Sequence, residues 1–128
     1  MIHSKHFTIK EAKELLSEIK LQLFRIVKLK DSLNKSGYDI HRHQYFGGMG
    51  PNGTGKYPAD LEELIKSVDE IIKRGIIIKG IDNGLIDFPH IRENGEEVYL
   101  CYLSGENDLE FWHGINDGFM GRKSIEDL

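Results

Sequence analysis

Residues 50 to 56, Gly50-Pro51-Asn52-Gly53-Thr54-Gly55-Lys56, carry the glycine and lysine spacing of a phosphate-cradling loop, G-x-x-x-x-G-K-[ST], and the reading given to them decides the fold. A genuine phosphate loop needs a buried strand before it, a helix after it and a parallel sheet around it, because it aims consecutive N–H groups and a helix dipole at the phosphates. Here the preceding residues, Tyr38 to Phe46 (YDIHRHQYF), are polar and follow a helical pattern. Position 57 is Tyr where the magnesium-binding Ser or Thr belongs, and Pro58 removes a backbone donor. No apolar strand ending in Asp offers a second magnesium contact, and 128 residues do not hold the required parallel sheet. ATP or GTP binding is therefore not expected. The stretch reads instead as part of a glycine-rich loop, 37–57, that joins two helices.

The first helix is expected over about 8–36. Thr8-Ile9-Lys10-Glu11 is a capping box, and Ile9, Ala12, Leu16, Ile19, Leu23, Ile26 and Leu33 recur in steps of three and four before the Ser36-Gly37 stop. The second is expected over about 58–74, with Pro58 in its first turn, Asp60, Glu62 and Glu63 near its positive end, Lys73 and Arg74 near its negative end, and a seam of Leu61, Ile65, Val68 and Ile72. Matching seams predict a long antiparallel helical hairpin. On a shared heptad frame Leu15, Leu29, Leu64 and Ile71 form one apolar flank, and Lys20 faces Asp69 on the other. At 1.5 Å per residue the helices are about 42 Å and about 26 Å long, so Ile9, Ala12, Leu15 and Leu16 need cover from the sheet or from a second copy of the chain.

After Gly75 the apolar period falls to two. Runs at Ile76–Lys79, Leu85–Phe88, Val98–Leu103 and Leu109–His113 are separated by Asp82-Asn83-Gly84, Glu93-Asn94-Gly95 and Ser104-Gly105-Glu106-Asn107. Turns this close together predict a three- to four-stranded antiparallel β-meander over about 76–113, with 114–128 as a C-terminal tail. The fold class is α+β, within a single domain of 1–128.

Composition narrows the function classes. With 39% hydrophobic and 30% charged residues the chain is that of a globular protein, and no apolar run reaches the roughly 20 residues that span a bilayer. No membrane partner is expected, and the location is read as cytoplasmic. Residues 1–56 hold ten basic and five acidic side chains (+5), and 57–128 hold seven and sixteen (−9). That asymmetry fits an interaction surface or two halves packed together; no basic cluster is interleaved with aromatics, so nucleic acid is not expected. The single cysteine, Cys101, excludes an internal disulfide and a multi-thiolate zinc site, and reads as an inert buried thiol. His41 and His43, and likewise His3 and His6, read as solvated side chains rather than ligands.

The chemically distinctive residues lie near the C-terminus. Asp87 sits inside the apolar run Leu85–Phe88, where an unpaired carboxylate is costly, so it needs a partner. A meander brings Asp87, Cys101 and His113 near one another, and Arg122 returns on the tail. In one reading Asp87 holds His113 or Arg122, or accepts turn N–H groups, in a buried polar network. In the other, Asp87 and His113, with Arg122 as a further catalytic candidate, form an acid–base site, or Asp87, His113 and Cys101 bind a divalent metal, in a pocket walled by Phe111, Trp112 and Phe119.

Phe7-Thr8 with Glu11-Ala12 and Leu15-Leu16, then Gly84-Leu85-Ile86-Asp87-Phe88-Pro89, Cys101, Trp112-His113 and Gly118-Phe119-Met120-Gly121-Arg122, resemble the signature of the prokaryotic domain of unknown function 2203. The resemblance covers nearly the whole chain except the interhelical loop. It implies a small soluble cytosolic protein with a helical hairpin, and groups Asp87, Trp112, His113, Gly121 and Arg122 into one site. It implies no activity, substrate or cofactor. The leading expectation is a non-enzymatic interaction or regulatory module that forms a homodimer through its helical hairpin; the rival is a small metal-binding protein or hydrolase-like enzyme using Asp87 and His113.

Overall fold

A computed structural model describes residues 2–37 and 59–128. The expectations placed on the glycine-rich loop, on His41 and His43, and on Pro58 lie outside the described residues. Two helices, α1 (Ile9–Lys35) and α2 (Ala59–Lys73), precede five strands: β1 (Ile77–Gly80), β2 (Leu85–Ile91), β3 (Glu97–Leu103), β4 (Phe111–Gly114) and β5 (Lys123–Ser124). The strands form one antiparallel sheet in the order β1-β2-β3-β4-β5. The class is α+β.

The capping box starts α1. Thr8 Oγ1 accepts from the Glu11 N–H at 3.0 Å, and the Thr8 N–H donates to Glu11 Oε1 at 2.9 Å. That bond holds the Glu11 carboxyl below the usual carboxylate range. The helices run antiparallel, since Glu18, Gln22 and Arg25 meet Arg74, Glu70 and Glu63 in reverse order at 3.8, 2.7 and 3.1 Å.

Of the apolar flank, Leu29, Leu64 and Ile71 are buried, and Leu15 packs against the core. A two-helix frame leaves that flank uncovered, and the sheet is the third element that completes its core. It also covers the N-terminal half of α1. Ala12 and Leu16 are buried, Phe7 meets Phe88 edge-on at 5.6 Å, and Lys20 donates to the Asn107 carbonyl at 2.7 Å. Lys20 therefore serves the sheet rather than Asp69, which pairs with Lys73 at 2.8 Å.

Register assigns the faces of the sheet. Cross-strand partners share a face, so Ile86, Phe88, Val98, Leu100, Tyr102 and Trp112 point inward to the helices, each fully buried one contributing on the order of 1.5–3 kcal/mol. Asp87, Pro89, Tyr99, Cys101, Phe111 and His113 point outward. Gly84, at φ +71°, turns β1 into β2 beneath α1; a Cβ there would lie 2.6 Å from Ser104 Cβ and 3.0 Å from Val27 Cγ2.

The sheet has five strands, not three or four. The tail residues Lys123 and Ser124 pair with Trp112 and Phe111, and the Ile125 N–H donates to the Glu110 carbonyl at 2.9 Å. A two-residue edge strand has no alternation to read, so only the return of the tail along β4 reveals it.

Candidate functional site

Strand pairing builds the site. Asp87 lies opposite Cys101, and His113 lies opposite Tyr99, two residues along β3 from Cys101 and so on the same face. The result is a carboxylate, a thiol and an imidazole whose nearest donor atoms all lie within 4.8 Å of one another. His113 Nε2 is 3.1 and 3.2 Å from the two Asp87 oxygens, and Nδ1 is 2.8 Å from the Gly114 carbonyl oxygen. Both neighbours accept, so with Asp87 ionised both ring nitrogens donate. Burial pulls the His113 pKa down, but the hydrogen bond it donates to Asp87, the bond to the Gly114 carbonyl and the Asp87 charge outweigh it, and the net direction is up.

The cluster is closed. Asp87 is 1% exposed, Cys101 0% and His113 3%. Burial first, then the Asp87 charge and hydrogen bond, push the Cys101 thiol up to about 12, against a weaker downward pull from Arg122. Cys101 is thus a buried thiol, as expected, and not a nucleophile in this state.

Arg122 returns beside this group through the tight turn at Phe119–Gly121. Its guanidinium is sandwiched between the Phe111 and Phe119 rings, 4.1 Å from each centroid, and donates to Glu106 at 2.9 Å. Asp87, Cys101, His113 and Arg122 therefore come together. Phe111 and Phe119 border them, but Trp112 does not, since neighbours along a strand alternate faces: its ring points to the core face, under Arg92 and Lys123 at 4.8 and 5.0 Å.

Several participants carry no sequence signal. Tyr99 packs its ring 5.3 Å from that of His113, under Lys79 at 5.0 Å, and its hydroxyl is 2.6 Å from His3 Nε2. Burial, followed by the charges of Asp87 and Glu97, raises its pKa. Glu97 ties down the N-terminal arm, accepting from His6 Nε2 at 2.6 Å and from the N–H groups of Ile2 and His3 at 2.9 and 3.1 Å. The His6 bond, with those two N–H groups, lowers the Glu97 carboxyl to about 2. His3 and His6, expected to be solvated, are structural fasteners 91 to 96 residues from their partners, too far for local reading to pair them.

Elsewhere, an open groove of about 600 Å³ runs between the N-terminal arm, α1 and the end of α2 over Phe7, Leu15 and Ile72. Among the described residues no helix is long and apolar enough to cross a membrane. The family model of an uncharacterized conserved protein (DUF2203) matches residues 5–125. The chain belongs to that family. In this DUF2203 chain the match runs from the N-terminal arm that Glu97 fastens to the tail that carries Arg122. No curated protein and no solved structure matches it.

Proposed function

We propose that this DUF2203 chain is a non-enzymatic interaction module of the cytoplasm that forms a homodimer through its helical hairpin. The observation that supports it is Leu21, which is 82% exposed, with Phe24 beside it at 52%. Every other apolar side chain of α1 is buried or half-buried, so these two are left over after the core is complete. The contact therefore moves from Ile9, Ala12, Leu15 and Leu16, which are buried or packed against the core, to the outward face of α1. Glu14 and Lys28 each lie seven residues from Leu21, two turns away on that face. Antiparallel packing of two copies about Leu21 sets Glu14 of one beside Lys28 of the other and buries both leucines in an isologous contact.

The hydrolytic alternative has less support, because a substrate must reach Asp87 and His113 and both are closed from solvent. Light scattering of the purified chain at micromolar concentration is expected to give twice the 14.7 kDa chain mass. Leu21→Glu should give the monomer with unchanged circular dichroism. A monomeric wild type overturns the proposal.

A further inference from the structure

Three kinds of donor meet on the outer face of the sheet: a carboxylate from β2, a thiol from β3 and an imidazole from β4. Among the described residues this is the one group of three or more His, Cys, Asp or Glu side chains placed to share an ion. The orientation of the imidazole is the most informative feature. Its Nδ1 faces the Gly114 carbonyl, which only accepts, so that nitrogen carries a hydrogen and leaves Nε2 directed at Asp87. Proteins orient metal-ligating histidines in this way, with one ring N–H fixed by a carbonyl and the other nitrogen turned to the ion.

Charge balance agrees with the geometry. Without an ion, the Asp87 carboxylate and the His113 imidazolium sum to zero. With a divalent ion, neutral His113, the Asp87 carboxylate and the Cys101 thiolate again sum to zero, and two protons leave, one from Nε2 and one from Sγ. A fully buried site accepts both states without an uncompensated charge.

We propose that Asp87, Cys101 and His113 bind one divalent transition-metal ion of the zinc class. The mixture of oxygen, nitrogen and sulfur favours zinc or cobalt over magnesium or calcium, which take oxygen donors. Bond lengths of about 2.0–2.3 Å at tetrahedral angles place donors roughly 3.3–3.8 Å apart. The Asp87–His113 pair is already close at 3.1 Å, and the group as a whole, within 4.8 Å, needs only a small contraction. Three protein ligands leave a fourth position for water.

The test is a Co²⁺ titration of chelator-treated protein, read by absorption, with elemental analysis of the zinc-loaded form. One ion per chain is expected, with tetrahedral-intensity visible bands, a thiolate-to-cobalt band in the near ultraviolet, and a higher thermal midpoint with zinc. Cys101→Ser should abolish the near-ultraviolet band, and His113→Gln should weaken binding by at least about 100-fold. Absence of saturable binding by the folded wild type overturns the proposal, whether or not the variants fold. Binding that lacks the thiolate band overturns it as well, since the ion then sits elsewhere.

Discussion

The inner and outer faces of the sheet are comparably buried but made of different materials. Phe88, Leu100 and Trp112 face the helices, while Asp87, Cys101 and His113, their immediate neighbours along the same strands, face away and are at most 3% exposed. On the inner face burial is favourable in itself, and any apolar side chain of suitable volume serves. On the outer face burial is costly, and only mutual satisfaction of the polar groups makes it tolerable. One face is therefore robust to conservative exchange, and the other to coordinated exchange.

The largest expected effect tests the inner face. Phe88→Ala removes a fully buried ring that Phe7 also packs against, and should lower unfolding free energy by about 3–5 kcal/mol in urea titration. A loss below about 1 kcal/mol would mean that the inner face is not the main source of stability.

A smaller but comparable loss, about 3 kcal/mol, is expected of Asp87→Ala, which leaves His113 buried without its carboxylate. Replacing both partners, Asp87→Leu with His113→Leu, should restore most of that loss; a double variant as unstable as the single one would break the contrast between the faces. The pair also has a pH signature. Because the folded pKa of His113 is raised, its contribution is fully present below the ordinary value of 6.5 and is lost as pH rises through the raised one. Stability of metal-free protein should fall with rising pH in that window, and the slope should vanish in the double variant.

The smallest expected effect concerns the arm that borders the outer face. Glu97 has a lowered pKa, so its contribution is present above about 4.5 and is lost as pH falls toward about 2. Glu97→Gln should flatten acid unfolding in that interval and speed hydrogen exchange at Ile2 and His3, whose N–H groups it holds. An unchanged acid limb would show that the arm is fastened mainly by Phe7, whose N–H donates to the Pro89 carbonyl at 2.7 Å.

Features fixed within one turn or one strand were legible. Thr8 with Glu11 announced the start of α1, and the change of period after Gly75 announced the sheet. The convergence of Asp87, Cys101 and His113 was legible too, because alternation and a meander leave few places for them. The same alternation excludes Trp112 from the site, being the immediate neighbour of His113, although its sequence proximity suggested a wall. Strand β5 and the roles of His3, His6, Tyr99 and Glu97 were not legible.

By itself the sequence determined the helix start, the α+β class and the meander that brings Asp87, Cys101 and His113 together, since capping, turn chemistry and periodicity act over a few residues. Tertiary structure alone decided that the sheet covers the first half of α1, that the tail adds a fifth strand, and that an arm and a tail converge on the polar face. Those contacts join residues far apart in the chain, where pairing depends on the completed shape and leaves no periodic trace in the amino acids.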